Sequence, residues 1–423
     1  METLALLDTL LYRFQDLFGS QNFALFCAYV YGVILCQGRH TISNIYLAGQ
    51  PQTRYWSSVK FLNRGKWDEE GVVQRLIGVI VPYLEAWVYV YDQTHTTKTG
   101  KKQFGLHFFK NHRYRLRNTN QSKFHWGHEF AGLGIVGITE AGCYLFPVFV
   151  KLLQAGAIAA SGLLAFESII SIIPPGLIIF DRGFNNRKYF KALLEKGHHL
   201  LCRARKNMVF FRLPTKKEQP KRGRKKIYGR RISIPRLPFD DLYIEKLDKT
   251  LSVADLIVRT RVCPEKVHLV VVRTRPKKSK PYRYFLVYTT DLTLSVETLI
   301  LHYKRRWSFE VGMHDSKESF GFDHYQVQSE KAIQRSVLLS FVCASLTQLL
   351  ALPQFQNNHT QTLPGLEEGL DEMNIHWYHP KRWTLGLVTR YIRWKYARQI
   401  FSARFSDDKN LTKSENAYKI AAG

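Results

Sequence analysis

Residues 86–92 read AWVYVYD and residues 177–184 read LIIFDRGF. Each is a short run of β-branched and aromatic residues closed by an aspartate, Asp92 in the first and Asp181 in the second. The pattern predicts two buried strands, each with a carboxylate at its C-terminal end. Open α/β sheets build their sites at that end of the strands. An Asp after a strand is also ordinary turn chemistry, so either residue taken alone reads as structural.

Working outward, two further strands are expected between these runs, over 128–138 and 143–150, with a turn at Glu140-Ala141-Gly142. An apolar helix follows over 157–173. After Asp181 come a helix over 185–195, stopped by Gly197, and a strand over 199–205. Three strands, helix, strand, helix, strand is the order of a ribonuclease-H-like core, an α/β sheet covered by helices.

The flanks have a different texture. Leu4, Leu7, Leu11 and Phe14 recur at helical spacing, and 23–36 reads as a buried second helix. Thr41 is placed to cap a short helix over 42–47 that ends at Gly49. The next segment, 52–63, is amphipathic, with Arg54, Ser57, Lys60, Asn63 and Arg64 in or beside it. A short helix, a turn and a basic helix suit helix-turn-helix DNA binding, and equally a helical bundle with a solvated basic face. Beyond the core, 206–291 reads as short alternating strands, 296–320 as one long helix, and 336–350 as an apolar helix. Residues 353–372 read as a polar loop, 383–405 as a basic aromatic helix, and the tail after Asp407 as frayed. The division expected is a helical DNA-binding region (1–80), a core in two parts (81–205 and 292–352) around a basic β-rich insertion (206–291), and a helical C-terminal region (353–423).

The charge names the partner. With 62 Lys and Arg against 34 Asp and Glu the chain carries +28, which points to a polyanion, nucleic acid before a membrane surface. A hydrophobic fraction of 45% excludes a disordered polybasic protein. Between Arg203 and Arg231 there are 13 Lys and Arg and one acid, Glu218, with KKEQPKRGRKK at the centre. A run this one-sided favours phosphate contact by Lys221, Arg222, Arg224, Lys225 and Lys226 over a merely solvated loop. Six cysteines without a CxxC pair argue against a disulfide framework or a zinc ribbon and fit a reduced cytoplasm. The start of the chain lacks a basic signal-peptide region, and the apolar run 23–36 is too short to span a bilayer. The apolar stretch 155–180 is interrupted by Glu167 and broken by Pro174-Pro175. A soluble protein without a membrane partner is expected.

The helix over 297–320 supplies a third carboxylate. At about 100° per residue, Tyr303, Arg306, Glu310, His314 and Lys317 fall within an arc of about 80°. Ile300, Trp307 and Val311 fall to one side and are expected to anchor the helix. An exposed ion-paired face is the bland reading of such a row. A carboxylate on it near Asp92 and Asp181 completes a set for Mg²⁺, a hard cation that takes carboxylate oxygens and keeps waters for phosphates. Two such ions suit phosphodiester chemistry, with Arg306 and Lys317 on phosphates and Tyr303 donating a hydrogen bond. Glu129 and Glu140 rank well below Glu310 as the third acid. His95, His125, His128, His314 and His324 have no zinc-ligand spacing.

Taken together, Asp92-Gln-Thr, Asp181-Arg-Gly-Phe and Tyr303-x2-Arg306-x3-Glu310-x6-Lys317 resemble the DDE transposases of bacterial insertion sequences that carry the YREK signature. The resemblance covers about residues 85–350. It implies that Asp92, Asp181 and Glu310 hold two Mg²⁺ ions, with Mn²⁺ able to substitute. It also implies that Tyr303, Arg306 and Lys317, with His314 beside them, contact transposon-end DNA. The activity implied is cleavage at terminal inverted repeats and joining of the 3′ ends to target DNA, by a dimer or higher assembly on double-stranded DNA in a prokaryotic cytoplasm. Residues 206–291 contain no Trp, whereas some relatives use one there during hairpin formation; Tyr243, Tyr282, Tyr284 and Phe285 are the rings available to stack. The alternatives are a metal nuclease of the same fold without strand transfer, and a domesticated DNA-binding protein that has lost catalysis.

Overall fold

The computed structural model describes residues 2–111, 122–140, 142–275, 280–359 and 363–405. Its N-terminal part is helical: α1 (Glu2–Tyr12), α2 (Ser20–Leu35), α3 (Ile42–Gly49), α4 (Tyr55–Arg64) and α5 (Glu69–Ile80). Thr41 caps α3, its hydroxyl accepting the Asn44 N–H at 3.3 Å. Arg54, Trp56, Lys60 and Arg64 lie exposed on and beside α4.

The core begins at β1 (Ala86–Thr97), followed by β2 (His107–Lys110), β3 (Phe124–Thr139) and β4 (Gly142–Leu152). Then come α6 (Ile158–Ile170), β5 (Leu177–Phe180), α7 (Arg187–Glu195) and β6 (His199–Arg203). The central order is β4-β3-β1-β5-β6, with β3 antiparallel to both β4 and β1 and with β1, β5 and β6 parallel. Only β2, an edge strand on the first part of β3, falls outside the sequence pattern.

The following stretch continues the same sheet. The strands β7 (Phe210–Arg212), β8 (Asp240–Ile244), β9 (Lys249–Thr260), β10 (Val267–Thr274) and β11 (Arg283–Thr289) extend it through β11, antiparallel to β6. Among the described residues all eleven strands form one sheet.

The helix expected over 296–320 is two helices, α8 (Val296–Arg305) and α9 (Trp307–Phe320), jointed at Arg306. After α10 (Glu330–Leu350), the stretch expected as loop holds α11 (Pro353–Asn357) and α12 (Leu366–Glu372), and α13 spans Leu385–Phe405. The expected fraying after Asp407 lies outside the described residues. By length and apolarity α10 would cross a bilayer, but here its apolar stretch is buried inside the protein. It packs on β4 and receives α2, α4, α5 and α13 around it, so the N-terminal helices share one core with the sheet. Arg335 of α10, with no exposed surface, fixes that junction. It pairs with Glu69, donates to the carbonyls of Phe61, Leu62, Gly65 and Trp67, and stacks on the Trp67 ring at 4.0 Å.

Candidate active site

Strand register assembles the first half of the site. Tyr91 pairs with Phe180 across parallel β1 and β5, so Asp92 and Asp181 come side by side. Asp181 leaves the end of β5, whereas Asp92, expected to close its strand, lies inside β1, which stays paired with β3 as far as Thr97. Phe180 pairs with Cys202 across β5 and β6, which sets Arg203 beside Asp181. Buried Asn185 holds these ends together. Its amide donates to the carbonyls of Arg182 (2.8 Å) and Arg203 (2.7 Å), and its oxygen accepts the Tyr288 hydroxyl. Along β1 the side chains alternate: Tyr91 reaches α6, its hydroxyl donating to the Gly162 carbonyl at 3.1 Å, while Asp92 faces α9.

The second half comes from the α8–α9 joint. Ser295 caps α8, and at the joint the Arg306 N–H reaches the Tyr303 carbonyl while the Phe309 N–H reaches that of Arg306. These three-residue bonds tighten the turn relative to an α-helix. Beyond it, Phe309 enters a groove that only glycine leaves open. A Cβ on Gly132 or Gly134 of β3 would stand 3.1 or 3.3 Å from its ring, and Gly312 lies directly on Leu145. Glycine inside a strand commonly marks such close approach. With Phe309 pinned, its neighbour Glu310 is carried to the side of Arg306, which also bonds Asp92.

The tightened joint also rotates the buried side of the helix. Phe309, Gly312, Met313, Ser316 and Phe320 face the core. Trp307 and Val311, expected as anchors, are 61% and 49% exposed, while Ile300 is buried.

Arg306 joins two of the acids. It donates to Asp92 Oδ2 at 3.2 Å and to Glu310 Oε1 at 2.6 Å. Burial works against its charge, but Glu310 and Asp92 outweigh that and raise its pKa. Tyr303 donates to Asp181 Oδ1 at 3.4 Å, and its own pKa is pushed up to about 12 by burial and by Asp181. Asp92 is the strained member. Burial raises its pKa from the ordinary 3.8 to about 6, against the Gln93 N–H at 2.8 Å and Arg306, and with Asp181 and Glu310 adding repulsion. An oxygen-rich, partly dehydrated cluster of this kind suits a hard cation. Yet in this arrangement, among the described residues, no three His, Cys, Asp or Glu side chains converge on a single ion position. The guanidinium of Arg306 is the cation between Asp92 and Glu310.

Of the other predicted residues, Lys317 donates to the His95 carbonyl at 2.9 Å, beside β1. His314 points outward, its side chain 72% exposed, near Asp315. Lys221, Arg222, Arg224, Lys225 and Lys226 are exposed beyond β7, apart from the carboxylates in the fold. Glu129 is bound by His107 at 2.9 Å, and Glu140 is exposed at the far end of β3. Arg203 was not singled out from the sequence. It packs on the Phe285 ring at 4.8 Å, which meets Tyr303 at 5.4 Å. Its signal was positional: it ends the third parallel strand.

Residues 162–346 match the family model described as the transposase DDE domain, and residues 13–130 match that of the DDE superfamily endonucleases. The first match contains Asp181 and Glu310, the second Asp92. Together they support a DDE transposase with a ribonuclease-H-like core, an enzyme class that acts on DNA and uses divalent metal. No curated protein matches the chain.

Proposed function

We propose that this protein is an insertion-sequence transposase of the YREK-bearing group, which cuts DNA at terminal inverted repeats and joins the 3′ ends to target DNA. The observation that carries the reading is the meeting of Asp92, Asp181, Arg306 and Glu310 where β5 ends beside β1. Asp92, Asp181 and Glu310 would hold two Mg²⁺ ions, with Mn²⁺ able to substitute. When bound, such ions activate the attacking oxygen and stabilise the leaving one.

The chain's own groups do the rest. Arg306 exchanges its carboxylate partners for a phosphate, which its planar fork matches equally well. Tyr303 orients Asp181. Lys317 and His314, farther along α9, meet the DNA that leaves the site. Lys221, Arg222, Arg224, Lys225 and Lys226 neutralise backbone phosphates without reading sequence. Because two ends are cut and joined together, the working form is a dimer or larger assembly on double-stranded DNA, in a prokaryotic cytoplasm.

The test is Glu310→Gln, which keeps size and helix propensity and removes the anion. Mg²⁺-dependent nicking and strand transfer should fall below detection, with end binding retained. A folded variant cutting its ends at the wild-type rate would show the wrong acid has been chosen. Wild-type cleavage without joining would favour the nuclease.

A further inference from the structure

The β2–β3 hairpin carries a second surface that the cleavage chemistry does not use. Phe108 of β2 is 69% exposed and Phe124 of β3 is 48% exposed. Cross-strand pairing joins Phe108 to Trp126 and Lys110 to Phe124, so these four side chains share one face of the hairpin. The Trp126 indole N–H donates to the Gly100 carbonyl at 3.0 Å, which fixes its ring, and Phe108 rests on it with centroids 4.8 Å apart. Single exposed rings need no explanation, but paired rings on an open edge strand are normally blunted or covered.

The surroundings say what covers them. Residues 93–128 contain no Asp or Glu. Lys110 is exposed on the aromatic face, and Lys123 lies over the Phe124 ring at 5.7 Å. The nearest acid, Glu129, falls on the opposite face by strand alternation and is taken by His107. Asp92 pairs with Gly132 of β3, six residues from Trp126, so the rings lie on the same face as the carboxylate, about 20 Å along the strand.

We infer that this aromatic and basic face is a stacking platform for unpaired bases of single-stranded DNA. Rings with free π-faces beside lysines suit exposed bases on a phosphate backbone, whereas duplex DNA keeps its bases stacked inside. The inference rests on the reading of the protein as acting on DNA.

The test uses the full chain, an oligo-dT probe and a fully paired duplex, with anisotropy at fixed salt. Phe108→Ser should weaken oligo-dT binding about tenfold and leave duplex binding within about twofold, and Phe108→Tyr should restore the wild-type value. Phe108→Leu keeps the bulk and the fold but removes the π-face, so it serves if the serine variant fails to fold, and it should also weaken oligo-dT binding. Wild-type affinity in Phe108→Leu would overturn the platform, as would equal weakening of both probes. So would unchanged oligo-dT binding with a halved mass in light scattering, which would make the face a contact between copies. A wild-type protein that bound duplex but not oligo-dT would overturn this inference alone. One that bound neither would overturn the DNA reading as well.

Discussion

Two arginines, one buried and one half-buried, each pair with a glutamate, and they do opposite things. Arg335, at the junction of α10 with the N-terminal helices, has four carbonyls, one carboxylate and an aromatic face around it. Its partners are mostly backbone of the α4–α5 connection, so no ligand can replace it without unfolding that connection. Arg306, at the α8–α9 joint, bonds two carboxylates, and its side chain keeps 15% of its surface open. Those partners accept any cation. A buried charge whose partners are main chain is a staple; one whose partners are like-charged side chains is an exchangeable occupant.

The largest expected effect tests the staple. Arg335→Met should cost about 3–5 kcal/mol in urea unfolding, because it leaves several buried acceptors and Glu69 without a donor. A loss no greater than that of Arg306→Met would erase the contrast.

Next comes Asp92. Its folded pKa, about 6, lies above the ordinary 3.8, so the folded chain holds a proton that the unfolded chain releases. Stability from this group is full below about pH 4 and declines as pH rises through about 6. Asp92→Asn stays neutral throughout. It should therefore gain about 3 kcal/mol over wild type at pH 7 and little at pH 4. Mg²⁺ should raise the melting temperature of wild type at pH 7 and leave that of the variant unmoved. A pH-independent difference would show that Asp92 is not the strained member.

Arg306→Met is expected to be milder still. At pH 7 it should cost about 1 kcal/mol, less than a structural pair, because Asp92 can take up a proton in place of its lost partner. The cost should shrink toward pH 5, and carboxyl NMR should place the Asp92 titration above its wild-type position. Engagement of the cut DNA end should weaken, with cleavage reduced less completely than by Glu310→Gln.

Much of this contrast was legible in the sequence, for a reason that also marks where legibility stopped. Asp181 stood out because a strand end is a local signal, carried by the residues before it; Asp92 shared that pattern, although β1 runs past it to Thr97 on its pairing with β3. The row from Tyr303 to Lys317 stood out through helical periodicity, which tolerates one tight turn. What periodicity could not register was the turn itself. Arg306 has φ −52° and ψ −36°, within the helical region, so nothing local announces the joint. The rotation that exposes Trp307 and Val311 follows from Phe309 packing over Gly132 and Gly134 of β3, a contact made over the distance of the fold. The strand did hold the clue, since Gly132 and Gly134, two residues apart, leave one face of β3 without side chains. The basic segment was legible as charge and as strands, but that β11 would join β6 in one sheet is long-range pairing with no local mark.

The smallest effect concerns a third kind of cation. Lys221, Arg222 and Arg224 are exposed, and none of them forms an ion pair among the described residues. With neither backbone acceptors like Arg335 nor carboxylates like Arg306, their charge does nothing for the fold. Arg222→Ala should therefore leave the melting temperature unchanged. What it should change is the salt dependence of duplex binding. Each phosphate contact releases condensed counterions, so losing one lowers the slope of log K against log salt by about 0.9. Affinity at low salt should fall modestly and equally for cognate and unrelated duplexes, since phosphate contacts carry no sequence information. Reversing Lys221, Arg222, Arg224, Lys225 and Lys226 together should flatten the slope by several times that amount. An unchanged slope in the fivefold variant would remove this run from the DNA interface and leave its charge a solvated surface. A slope that fell only for cognate ends would make Arg222 a reader of sequence.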